Sequence, residues 1–169
     1  MDFVPHSFEA IQTTPLKDWS LQVVGADFQT AGALPGDWLH IPELRSSGGP
    51  GIYSTTFTAP ADIEARREQG HDFQLKLNQL FGAATVSLNG TQVGAALVPP
   101  YSVNLTAALK PGHNRLEVKL TPPRKNRLVS AIENSEPGWN APDIVGTSAR
   151  VSAGLIGPAQ IIESAPTAH

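Results

Sequence analysis

Residues Ala84–Gly94 read ATVSLNGTQVG. Val86 and Leu88 alternate with Thr85 and Ser87, Asn89-Gly90 interrupts the run, and a second short run carries Val93 away from it. Alternation at period two turns one face of a strand inward, and Asn-Gly supplies the positive φ angles of a tight type I′ turn. The stretch predicts a β-hairpin. A hairpin is scaffold and has no chemistry of its own, so function has to be sought elsewhere in the chain.

The same alternation recurs along the sequence. WSLQVV sets Trp19, Leu21 and Val23 on one face, GIYSTTF sets Tyr53 and Phe57 against Ser54 and Thr56, and DFQLKLNQL sets Phe73, Leu75 and Leu77 against Gln74, Lys76 and Asn78. YSVNLTAAL places Val103 and Leu105 opposite Ser102 and Asn104, NRLEVKL places Leu116, Val118 and Leu120 opposite Arg115, Glu117 and Lys119, and GPAQIIES closes the series. Strands with one apolar and one wet face belong to antiparallel sheets, and about eight of them with turn residues between predict an all-β sandwich of jelly-roll type. At most one short helix is expected, within ADIEARREQG (Ala61–Gly70), where Gly70 is placed as a stop.

With 169 residues, 40% of them apolar and 16% charged, the chain is read as one domain, residues 1–169, able to bury a core without metals or disulfides. A net charge of −3 without any basic run argues against nucleic acid as a partner. The absence of Cys rules out disulfides, thiolate metal sites and thiol nucleophiles. MDFVPHSFEAIQTTPL has neither the basic start nor the apolar stretch of a signal peptide, which favours the cytoplasm. No apolar run approaches the roughly 18 residues of a membrane span, so no membrane partner is expected.

Two segments lack sustained alternation and are the candidate functional loops: Leu44–Gly51 (LRSSGGPG) and Pro122–Ser152. Long loops in compact domains are uncommon and usually functional or mobile.

The succession of pieces resembles a known family. Asn89-Gly90, the run GHNRL (Gly112–Leu116), the triplet Asn126–Leu128 and GLIGP (Gly154–Pro158) fall in an order similar to that in the galactose-binding-like β-sandwich domains attached to glycoside hydrolases. It looks closest to the C-terminal sandwich of the large α-L-rhamnosidases, over roughly Ile41 to Ile162. The resemblance implies a carbohydrate-binding or accessory role, and a structural calcium held by loop carbonyls is known in such domains. It also implies that the chemistry of the parent enzymes sits in a separate barrel. Glycoside hydrolysis needs two carboxyls at a defined separation, and no acid of this chain falls in a matching motif. The initial Met and the ends of the chain favour a stand-alone relative over an excised domain.

Several side chains are candidates for a site. Trp38 and Trp139 offer aromatic faces of the kind that stack on a pyranose, with Asn134, Asn140, Asp143 and Arg127 to take hydroxyls. Arg127 is better suited to pairing with a carboxylate or with backbone carbonyls of the scaffold than to touching ligand. Tyr101, after two prolines, has the same stacking capacity, but its place in a strand assigns it to packing in the sandwich. Trp19 belongs to the core. His40, Glu43 and Arg45, with Tyr53 one strand onward, would be the acid–base set if the chain were an enzyme; His40 and Trp38 share a face if their segment is a strand. The five His show no metal-ligand spacing, and no metal site is assigned.

Three functions compete. A sugar-binding or accessory domain calls for an open polar site with an aromatic platform. A small isomerase, cyclase or dehydratase acting on a hydrophobic molecule calls for a deep apolar pocket around His40, Glu43 and Arg45. A domain docking on a catalytic partner calls for an exposed apolar face and no pocket.

Overall fold

The computed structural model describes residues 7–138 and 149–167. The strands are β1 (Phe8–Pro15), β2 (Trp19–Val23), β3 (Gln29–Gly32), β4 (Gly51–Ala59), β5 (Asp72–Phe81), β6 (Ala83–Leu88), β7 (Thr91–Ala96), β8 (Ser102–Asn104), β9 (Gly112–Thr121) and β10 (Gly154–Pro166). They form two sheets, a four-stranded one in the order β1-β10-β5-β8 and a six-stranded one in the order β3-β2-β4-β9-β6-β7. Every strand pair is antiparallel. The result is the expected all-β sandwich.

The inward positions are those the alternation selects. Leu21 of β2, Tyr53 of β4, Leu75 of β5, Val86 of β6 and Leu116, Val118 and Leu120 of β9 are all fully buried in one cluster fed by both sheets. Burying each such side chain stabilises the fold by about 1.5–3 kcal/mol. Asn89 and Gly90 take φ angles of 52° and 85°, the I′ geometry predicted for the hairpin between β6 and β7.

The buried polar residues Thr55, Asn114, Asn126 and Glu163 are all hydrogen-bonded, as burial demands, whereas the buried Trp19 Nε1 and Arg150 Nε have no partner among the described residues. Asn114 accepts from Lys110 N at 3.0 Å and from Asn89 Nδ2 at 2.9 Å, and donates to the carbonyls of Lys110 and Gly112 at 2.8 and 2.9 Å. One amide thus stitches the turn before β9 to the β6–β7 hairpin. Glu163 of β10, 3% exposed, receives both Arg66 Nη1 contacts at 3.0–3.1 Å and lies 2.6 Å from His71 Nδ1.

Helix α1 (Ile63–Glu68) falls within the predicted segment and links β4 in one sheet to β5 in the other. The expectation of at most one helix needs correction: α2 (Lys125–Glu133) lies inside the segment read as one long loop. It is short, it follows Pro122-Pro123, and it is fixed by tertiary contacts. Asn126, 2% exposed, donates to Val151 O and accepts from Val151 N, both at 2.7 Å. No described helix is long and apolar enough to cross a membrane.

Candidate functional site

The segment around Trp38 is not a strand, so the shared face expected for Trp38 and His40 does not exist. Trp38–His40 forms a single 3₁₀ turn, capped by Asp37, whose Oδ1 accepts from Leu39 N at 2.9 Å and from Ala153 N at 3.1 Å. Burial opposes the charge on Asp37, but hydrogen bonds from Ser152, Leu39 and Ala153 outweigh it and hold the carboxyl below its usual value. The turn drives Trp38 inward and leaves His40 exposed.

Trp38 is fully buried and is therefore no sugar platform. Two glycines make its slot: a Cβ at Gly51 would stand 2.5 Å from Trp38 Cζ2, and one at Gly154 would stand 2.7 Å from Cδ1. The indole Nε1 donates to Tyr53 Oη at 2.8 Å, and the same oxygen accepts from Leu155 N at 3.1 Å. Tyr53 is a core clamp joining the two sheets. Burial pushes its phenol up to about 12, which withdraws it from acid–base work near neutrality. His40, Glu43 and Arg45 are exposed while Tyr53 is sealed inside, so the expected catalytic set does not converge.

The two candidate loops do meet. Arg127 of α2 packs on Gly48, where an added Cβ would touch its Cβ and Cγ at 3.0 Å, and Arg150 Nη2 reaches Ser46 Oγ at 3.3 Å. Between the loops and the Val24–Ala26 turn lies an open groove of about 500 Å³ that includes Glu43, Ser47 and Arg127. Arg127 is already engaged, bidentate on Glu136 at 3.0 and 2.6 Å, which keeps that carboxyl low and the guanidinium charged. The scaffold-pairing role therefore accounts for Arg127. Asn134 is exposed at the end of α2, with Nδ2 3.3 Å from Ser130 Oγ. Trp139, Asn140 and Asp143 lie outside the described residues. Among the described residues, this groove carries no aromatic side chain.

A second groove, also of about 500 Å³, has the opposite character. It lies on the outer face of the four-stranded sheet, lined by Tyr101 and the 99–100 prolines on one side and by Lys76, Asn78, Gln79 and Gln160 on the other. It exists because alternation fails locally. Asn78 and Gln79 are both exposed, opposite the irregularity in β10 between Ile156 and Ala159. There Gly157, at φ 79°, lets the Asn78 side chain lie across it, 2.5 Å from where a Cβ would stand.

Further along the same face the polar groups are bound to one another. Asp72 accepts from Gln74 Nε2, Asn104 Nδ2 and Thr106 Oγ1 at 2.6–2.8 Å, and Ser102 Oγ donates to Gln74 Oε1 at 2.7 Å. The shell around the Asp72 carboxylate consists of donors, which does not fit a cation. Among the described residues no three His, Asp or Glu side chains converge. The Asp72 cluster is thus no cation site; the calcium that the family resemblance raised would be held by loop carbonyls instead.

Residues 49–153, well over half of the chain, match the glycosyl hydrolase 2 galactose-binding domain-like family. The chain belongs to this family. No curated protein matches it. Among solved structures, the galactose-binding-like domain superposes on a rhamnosidase from Novosphingobium sp. PP1Y with a TM-score of 0.74 at 24% identity, covering 96% of this chain and 16% of that one. A β-D-mannosidase from Dictyoglomus thermophilum gives 0.58 at 14% identity, with coverages of 89% and 22%. A β-glucuronidase from Ruminococcus gnavus gives 0.63 at 16% identity, with coverages of 97% and 30%. At these identities the likeness is one of fold, and the galactose-binding-like domain spans less than a third of each enzyme.

Proposed function

We propose that the chain is a single accessory domain of glycoside-hydrolase type that binds carbohydrate, and that its sugar site is the Tyr101 groove on the sheet face. The observation that carries this reading is the composition of that groove. Tyr101, packed in part against the core as its sequence position suggests, lines an open, partly polar concavity together with Asn78, Gln79 and Gln160 and their side-chain amides. An aromatic face takes the C–H side of a pyranose, while amides, having both donors and acceptors, match hydroxyls in either role. Such a groove suits a weakly held mono- or oligosaccharide better than a hydrophobic substrate needing enclosure. Support also comes from the company the fold keeps, since the rhamnosidase, mannosidase and glucuronidase above act on glycosides and carry this sandwich as a minor part of their length.

Titration calorimetry and NMR against rhamnose, galactose and their oligosaccharides test the reading. Binding should weaken about tenfold or more in Tyr101→Ala and severalfold in Asn78→Ala, and stay unchanged in Arg127→Ala. No saturable binding to any saccharide, or loss only in Arg127→Ala, overturns it.

A further inference from the structure

The geometry points to a sugar bearing a carboxylate, a uronate, as the preferred ligand of the Tyr101 groove, with the Lys76 ammonium as its anion partner. This deepens, and depends on, the sugar-binding role proposed above for the same groove.

The argument is one of charge. Among the described residues, Lys76 is the one cationic side chain lining the groove, and no Asp or Glu lines it. It is exposed, and among the described residues no carboxylate lies within ion-pair distance of it. Of the acids of this sheet, Glu9 lies on β1 opposite Ala165, two strands away from Lys76 and five residues along β10 from its partner Gln160, and the other two are occupied elsewhere. Asp72, four residues along β5 and so about 13 Å away at strand rise, is surrounded by Gln74, Asn104 and Thr106. Glu163 is turned inward onto Arg66 and His71. In a chain of net charge −3, a groove whose one fixed charge among the described residues is positive, with no carboxylate of those residues paired to it, is a selective feature.

Register places that charge where a ring substituent would meet it. Lys76 sits directly between Gln160 of β10 and Ser102 of β8. Tyr101 precedes Ser102, and its carbonyl accepts from Leu77 N at 2.9 Å. Neighbouring strands are spaced about 4.8 Å apart, roughly the width of a pyranose ring. A ring stacked on Tyr101 therefore brings an exocyclic carboxylate to the ammonium and its hydroxyls to Gln160 and Asn78. A neutral hexose has a hydroxymethyl group at that place and gains no ion pair.

The test compares each uronate with its neutral parent, galacturonate with galactose and glucuronate with glucose, by NMR titration of the full chain at low salt. At least one uronate should bind roughly three- to tenfold more tightly than its parent. The preference should vanish in Lys76→Gln, persist in Lys76→Arg and shrink at 0.5 M salt. Lys76 is an exposed strand position, so these variants should fold as the parent does. Equal binding of acid and neutral sugar, or a preference that survives Lys76→Gln, overturns the uronate assignment and leaves the sugar site standing. If no sugar of either kind binds, the assignment falls together with the sugar-binding role.

Discussion

Replacing Tyr53 by phenylalanine keeps the ring and removes one oxygen. That oxygen accepts two hydrogen bonds, from Trp38 Nε1 at 2.8 Å and from Leu155 N at 3.1 Å. Trp38, Tyr53 and Leu155 are each fully buried, so water cannot take over the vacant positions. Each stranded donor costs about 1–3 kcal/mol, and the loss is partly offset because Phe carries no hydroxyl to desolvate. The expected net destabilisation is about 2–4 kcal/mol. At roughly 2–4 °C per kcal/mol for a chain of this size, Tm should fall by about 5–15 °C. Urea melts followed by far-UV circular dichroism supply the free energy, and a displaced Trp38 indole N–H resonance supplies the local readout. A change below about 0.5 kcal/mol at unaltered m-value would refute the clamp. Sugar binding in the sheet-face groove should be untouched, which separates a structural tyrosine from the acid–base role its sequence position suggested.

Three further substitutions probe the same end of the sandwich. Asp37 has a depressed folded-state value, so its stabilising contribution is fully present above the unfolded value near 3.8 and is lost as pH falls through the lower folded one. Asp37→Asn should accordingly differ from the parent in Tm by a constant amount above about pH 5, with the gap closing in the acid limb below pH 4. A gap that widens on acidification would refute this. Gly49→Ala forces a Cβ to 1.8 Å from Val24 O, beside the Val24 N to Pro50 O bond that fastens this loop, whereas Gly48→Ala meets only the Arg127 side chain at 3.0 Å. Urea melts should show a loss of about 3 kcal/mol for Gly49→Ala and no more than about 1 kcal/mol for Gly48→Ala; equal losses would mean that the loop backbone yields freely.

The sandwich was legible because the signals that specify it are local. Leu116, Val118 and Leu120 announce their burial through period two alone, and Asn89-Gly90 specifies its turn without reference to the rest of the chain. Helix α2 was hidden because its anchor, the double hydrogen bond of Asn126 to Val151, joins residues far apart in sequence. Trp38 misled for a similar reason. Its segment, Gly36–Pro42, is short and irregular, with no sustained alternation to point the indole inward, and the slot that buries it is cut by Gly51 and Gly154, neither of them in that segment.

The groove was half legible, and the missed half was a broken rule. DFQLKLNQL alternates through Leu77 and then presents Asn78 and Gln79 in succession before Leu80 turns inward again. Two adjacent polar residues in a strand mean either an end or a bulge, and here the sheet answers with a discontinuity in β10 at residues 157–158. A bulge re-aims side chains toward solvent, so the amides gather on the outer face beside Tyr101 while the core beneath stays continuous through Leu75, Leu77 and Leu80. The aromatic residues divide along the same line. Trp19 and Trp38 serve the interior, where their area contributes most, and Tyr101 remains half-exposed at the edge strand, the position from which a ring can meet both the sheet and a ligand. The proposed sugar platform sits at a break in the sheet's alternation, and restoring the alternation should abolish it. Gly157→Ala, which crowds Asn78 at 2.5 Å and strains a residue at φ 79°, therefore tests site and fold together: binding should fall further than the accompanying loss of stability explains, and a variant that binds as well as the parent would move the site off this face.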